Sequence, residues 1–366
     1  MAIFMTNRNT ETKTRYAITP PQNKSRPFHM GFTTWPPDFT PQAVSDMYKF
    51  MARHSDLIAH HFDGGVPWLE AFGNQQFSQN LMNDWSTTKA NTPKGSKVYV
   101  GITPMDSSRQ HLAKYWGSSD NMELPAPWNQ YQINSPEVKK AYLNYARRVV
   151  DYFKPDYLAI GIEVNIALEG STAWDQYKDL HQYIYTELKK SYSNLPIFAT
   201  ISLPHLDGLE GSPRIAQHRQ AVQSILPYED ILALSSYPYG FAGREQKPVP
   251  DNFFDSALKF GKPVAVGETG CPSKDFRALL FKYKFNEEDQ NQCISTIMKK
   301  AAENKFVFVV NWVAIDFDKM IAKFSAFDQS FASLFEYTGL ENSDGTSKPA
   351  LKIWDSYLGI PFANAK

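Results

Sequence analysis

The chain has 366 residues, 42% of them hydrophobic and 14% aromatic, which is enough to bury a large core. Its 38 basic and 38 acidic residues cancel, and no long basic run occurs, so nothing favours nucleic acid or an anionic membrane surface as a partner. No apolar run reaches transmembrane length, and the polar stretch 1–26 lacks the long apolar core of a secretory signal.

Taken in order, the chain alternates apolar strand patterns with helical ones. The first strand is expected over Phe28–Trp35, stopped by Pro36 and Pro37. Thr40 then reads as the N-cap of a helix with Pro41 as its first residue. The second strand is expected over Leu57–Phe62, followed by a helix near 77–90, and the third over Lys97–Ile102. A connection spanning 107–134 is too long for a plain linker and reads as a groove wall or lid. Ser135 and Pro136 open a helix that runs to about Phe153.

The fourth strand is expected over Tyr157–Glu163 and the fifth over Ile197–Leu203, with a helix between them near 173–191. Helices near 213–226 and 251–260 flank a sixth strand at Ile231–Ser236. The seventh strand is Pro263–Glu268, with its helix near 286–304; the eighth is Phe306–Trp312, and a last helix lies near 348–357. Eight strand–helix units predict a single-domain α/β fold, a closed (β/α)8 TIM barrel across residues 27–366.

Two of these strands end in a carboxylate. Tyr157-Leu-Ala-Ile-Gly-Ile-Glu163 and Pro263-Val-Ala-Val-Gly-Glu268 are apolar runs that stop abruptly at Glu. Active sites of such barrels are built at the C-terminal strand ends. Paired carboxylates there suit glycosidic bond cleavage, one as nucleophile and one as acid/base. Period-two alternation places Glu163 on the face of Gly161, Ala159 and Tyr157, with Ile162 facing the helices. It places Glu268 on the face of Val264 and Val266.

These residues resemble the glycoside hydrolases of clan A. Glu268-Thr-Gly-Cys-Pro-Ser273 is similar to the nucleophile segment of the family 17 β-1,3-glucanases, and Tyr237-Pro-Tyr239 to their sixth-strand segment; the family 53 endo-β-1,4-galactanases have related segments. The resemblance implies Glu163 as acid/base, Glu268 as nucleophile, Tyr237 as a hydrogen-bond partner of the nucleophile and Trp312 as an aromatic floor beneath a sugar ring. The chain departs from the clan at Ile162, where an Asn usually precedes the acid/base. Asn165, two residues beyond Glu163, is the nearest candidate for that sugar contact.

His61, Asp63, His205 and Trp35 follow strand ends and are further candidates for the sugar site. Adjacent His60 and His61 point to opposite faces of a strand, which argues against a metal there, and no metal or nucleotide-cofactor motif occurs. Cys271 and Cys293 read as two free, partly buried thiols, with a single bridge as the alternative.

The expected function is a retaining, endo-acting β-glycosidase on a β-glucan or β-galactan, with an oligo- or polysaccharide as partner and no cofactor. A transglycosylase with the same site and a non-catalytic carbohydrate-binding barrel are the alternatives. A polysaccharide substrate implies secretion or a periplasmic location.

Overall fold

The computed structural model describes residue 21 and residues 24–166, 171–210, 214–239, 245–278 and 280–363. Most of the polar stretch 1–26 lies outside the described residues. The barrel strands are β1 (His29–Thr33), β2 (Leu57–Phe62), β3 (Lys97–Ile102) and β4 (Tyr157–Ala159). They continue as β5 (Ile197–Phe198, resuming as Thr200–Ser202), β6 (Leu232–Ser236), β7 (Val264–Thr269) and β8 (Phe308–Asn311).

All of these strands pair in parallel, and β1 pairs with both β2 and β8. The two halves of β5 close the ring. Ile197–Phe198 pairs with β4, while Thr200–Ser202 pairs with β6. One short strand thus serves both neighbours across Ala199, and the sheet curls into a (β/α)8 TIM barrel.

Two apolar layers hold it. Inside, Tyr99, Phe198 and Phe308 plug the barrel with Leu57, Ala59, Ala159, Ala233 and Ala265 around them. The Tyr99 and Phe308 ring centroids are 5.2 Å apart. Outside, Leu158, Ile160, Val264 and Val266 pack under the helices. The plug confines open space to the C-terminal strand ends, where a barrel site belongs.

The helices start where the sequence predicts. Thr40 accepts from the Ala43 N–H at 3.2 Å and caps Pro41–His54, and Asn286 and Asp289 form a capping box on Glu287–Glu303. The expected helix at 251–260 shrinks to Asp255–Leu258, because Gly261 turns the chain at φ 70° only a few residues after Pro250. The connection 107–134 contains one 3-10 turn, Trp128–Gln130, and is pinned by tryptophans. Trp68 Nε1 donates to the Ala113 carbonyl and Trp116 Nε1 to Asn80, each at 2.9 Å.

The expected free thiols are a correction. Cys271 and Cys293 form a disulfide across a Cα–Cα distance of 6.1 Å. Cys293 lies on the inner face of helix Glu287–Glu303, which packs against the segment leaving β7, so the two sulfurs meet despite 22 residues of separation.

Candidate active site

Both strand-end glutamates reach the barrel mouth through irregularities. Along β4, Ile160 N donates to the Phe198 carbonyl, and the next bond of this kind runs from Val164 N to the Thr200 carbonyl. Four residues of one chain advance against two of the other, so Gly161–Glu163 bulges out of the ladder. Glu163 sits in the left-handed region at φ 48°, and its N–H donates to Thr200 Oγ1 at 2.7 Å. The expected alternation fails here. A Cβ on Gly161 would meet Tyr177 of the outer helix Thr172–Ser191 at 2.3 Å, whereas Ile162 and Glu163 both face the cavity.

Strand β7 behaves alike. Val266 pairs with Leu234, but Ser235 pairs with Glu268, so Gly267 is an extra residue. Val264 and Val266 point outward and Ala265 inward. Unbroken alternation would send Glu268 outward with the valines. The bulge at Gly267 turns it inward, which corrects the expectation that Glu268 shares their face. A glycine eases the fit: a Cβ would press on Thr200 Cγ2 at 3.1 Å.

The two carboxyls line one cavity. Ser235 Oγ donates to Glu268 Oε1 and lies near Glu163. The charge of Glu163 reaches Glu268 across this space. Burial, and then the negative charge of Glu163, push the Glu268 carboxyl up to about 8. Burial also raises Glu163, opposed by the Arg109 guanidinium and by Ser235. Two buried carboxyls this close share one proton near neutral pH.

Arg109 is buried and lines the same cavity. Its Nη2 is 3.6 Å from Glu163 Oε2, an ion pair too long for a hydrogen bond. Tyr237 OH points at Glu268 Oε2 from 3.4 Å, a long contact, so Ser235 is the closer partner of that carboxyl.

The cavity holds about 790 Å³, within the range of small-molecule clefts. Glu163, Glu268, Tyr237, Trp312, His61, Asp63, His205 and Trp35 all line it. Trp312 is flanked by Trp35, Phe335 and the His61 ring, at centroid distances of 6.4, 5.8 and 5.0 Å. His60 turns away, toward Phe153 and Thr92. Burial lowers His61 and brings His205 down to about 4, so both rings are neutral at pH 7.

Asn165 does not join them. It is fully buried, accepts from Ser202 N at 2.7 Å and donates to the Ser202 carbonyl at 3.0 Å. Its amide replaces the ladder bonds that the bulge removes, and this corrects its expected place at the substrate. Ile162 presents an alkyl face to the cavity instead. Ser235, Thr200 and Arg109 were not singled out from the sequence. Ser235 ends an apolar run as Glu163 and Glu268 do, a signal that was available; nothing local marks a buried arginine inside the 107–134 connection.

No family model matches the chain. A curated relative, an uncharacterized protein in the bgaB 5' region of Niallia circulans, is 24% identical over 179 residues. That match spans 44% of this chain and 46% of the relative. Among solved structures, a family 5 subfamily 18 glycoside hydrolase of Streptomyces cattleya, in complex with mannosyl-β-1,4-N-acetylglucosamine, superposes with a TM-score of 0.61 at 15% identity. It covers 91% of this chain and 80% of its own. An exo-β-1,4-mannosidase of Opitutaceae bacterium strain TAV5 gives 0.60 at 14% identity, covering 90% and 59%. A fungal β-1,4-galactanase gives 0.54 at 16% identity, covering 84% and 90%. At such identities the likeness is one of fold, a (β/α)8 barrel of the kind these glycoside hydrolases share.

Proposed function

We propose that the protein is a retaining β-glycosidase in which Glu268 is the nucleophile and Glu163 the acid/base. The observation that carries this reading is a pair of buried carboxyls lining one cavity at the barrel mouth, the charge of Glu163 raising Glu268. Retaining enzymes hold two such carboxyls about 5–5.5 Å apart for direct attack on the sugar, whereas inverting enzymes hold theirs about 6.5–9.5 Å apart to admit a water. Glu268 attacks the anomeric carbon while Glu163 protonates the departing oxygen. Glu163 then takes a proton from water, which releases the sugar.

Trp312, with Trp35 and Phe335 beside it, offers the aromatic face on which a pyranose ring stacks. The neighbouring barrels named above, a mannosidase and a galactanase among them, support a β-linked glycan as substrate. The walled cavity and the 107–134 connection support internal cleavage of a chain. The buried Cys271–Cys293 bridge supports an oxidising location outside the cytoplasm.

One observation favours a second reading. Ile162 lines the cavity next to Glu163, where the clan resemblance implies a polar sugar contact. A barrel that binds glycans without cutting them would tolerate that alkyl face. Reducing-end release from β-1,3-glucan, β-1,4-galactan, β-mannan and mixed β-glucans, by wild type beside Glu268→Gln, separates the two. Release that disappears in the variant supports the hydrolase; tight glycan binding with no release by either protein supports the binding barrel.

A further inference from the structure

The feature that the paired-carboxylate chemistry leaves unexplained is Arg109. A two-glutamate site needs one ionised and one protonated carboxyl, and it needs no permanent cation beside the acid. Here a guanidinium 91% buried by residue area sits in the cavity against Glu163. Its hydrogen-bonding capacity is largely unused. Nη1 donates to the Asp106 carbonyl at 2.7 Å, Nε is buried with no partner, and Nη2 is 3.6 Å from Glu163 Oε2. Arg109 is placed deliberately: its backbone is left-handed at φ 58°, and its N–H bonds the Asp106 carbonyl at 3.0 Å in a tight turn. Buried donors of a charged group are costly unless something accepts from them.

Two neighbouring charges already have partners. Asp106 accepts from the Ser108 hydroxyl and faces His111, and Lys114 is held by Glu123. Asp63 stands 3.8 Å from His61. Arg109 thus lines the cavity with Nη2 making no hydrogen bond among the described residues, and a carboxylate is the group that best accepts from a guanidinium.

We propose that the substrate carries a carboxylate, that is, a β-linked uronic acid, and that Arg109 receives it. The inference rests on the glycosidase reading of the same site and names its substrate class. Binding of that carboxylate draws the guanidinium off Glu163. Without the neighbouring positive charge Glu163 takes up the proton that Glu268 gives up. The site is left with an ionised nucleophile and a protonated acid, the pair that cleavage requires. A neutral sugar leaves Arg109 on Glu163 and the proton on Glu268.

The test pairs turnover with binding. Initial rates are measured on 4-nitrophenyl β-D-glucuronide, β-D-galacturonide, β-D-glucoside and β-D-galactoside with wild type, Arg109→Gln and Arg109→Lys. Calorimetry follows D-glucuronate, D-galacturonate and D-glucose binding to Glu268→Gln and to the Glu268→Gln, Arg109→Gln double variant. A uronide is expected to have the highest kcat/KM, and Arg109→Gln to lower it about 10- to 100-fold, more than it lowers any neutral glycoside. Arg109→Lys, which keeps the charge but loses the fork, should retain part of the preference and covers the case in which Arg109→Gln folds poorly. The two uronates tell which configuration at C4 the site takes.

Cleavage of neutral glycosides with no uronate binding overturns the inference and leaves the glycosidase reading standing. Equal losses on neutral and anionic substrates also overturn it, because Arg109 then acts through Glu163 alone. Uronate binding that depends on Arg109, with no turnover of any glycoside, supports the inference and removes the hydrolase.

Discussion

The backbone N–H of Glu163 donates to Thr200 Oγ1 at 2.7 Å, at the point where the fourth strand leaves its ladder. A threonine on β5 thus holds the left-handed turn that presents the carboxyl. Thr200→Val keeps the shape and deletes the acceptor. It should cost about 1–3 kcal/mol for the stranded donor and lower kcat, whereas Thr200→Ser should retain both. Urea titration beside initial rates checks this, and an unchanged kcat in Thr200→Val would show that the turn holds without the bond.

Glu268 sets a pH dependence of stability. Its carboxyl is raised from 4.5 to about 8 by burial and by Glu163. Between those values the folded protein keeps a proton that the unfolded chain has released, so stability falls as pH rises through the window. The loss is up to about 1.4 kcal/mol for each pH unit crossed. Glu268→Gln never ionises, so it should unfold at higher urea than wild type at pH 8.5 and lose that advantage near pH 4.5. Parallel curves for the two proteins across this range would show that the carboxyl is not raised.

Ser235 lowers the Glu268 carboxyl by donating to its charged form, against the larger effect of burial. Ser235→Ala removes that bond and should move the acidic limb of the kcat/KM profile to higher pH. A purely structural hydroxyl would instead lower the melting temperature and leave the profile in place. The pH–rate curve of the variant separates these outcomes.

The Cys271–Cys293 bridge ties the segment leaving β7, three residues past Glu268, to the helix Glu287–Glu303. Closing a loop of this length stabilises by about 3 kcal/mol through the unfolded state. Cys293→Ser should therefore unfold at lower denaturant, and reductant should bring wild type to the same midpoint. Coincident midpoints for oxidised wild type and the variant would show that the bridge adds nothing.

Trp312 stands among Trp35, His61 and Phe335 in the cavity wall. Trp312→Ala deletes the stacking face and should raise KM about 5-fold, from about 1 kcal/mol of lost aromatic contact. An unaltered KM with lowered stability would assign the ring to packing alone.

The barrel was legible because its evidence is local and repeated. Eight apolar runs, each bounded by Gly, Pro or a polar turn, occur with helical patterns between them, and Thr40 and Asn286 mark helix starts with their own side chains. The paired glutamates were legible because two strands far apart in sequence end the same way, whereas one strand-end Glu reads as a residue leaving the core for solvent. Their orientation was not. Period-two reading assumes an unbroken ladder, and both strands break it, at Gly161–Glu163 and at Gly267. The same assumption carried Asn165 to the substrate, although its amide repairs the ladder beside Ser202.

Composition and hydrophobic period thus determined the architecture, the strand order and the two carboxylates, since each depends on residues close in sequence. Tertiary structure alone decided which hydroxyl holds Glu268, that Cys271 meets Cys293, and that Arg109 enters the cavity. These are meetings of side chains from segments 20 to more than 100 residues apart, and bulges, which leave no periodic trace in the sequence, set their final aim.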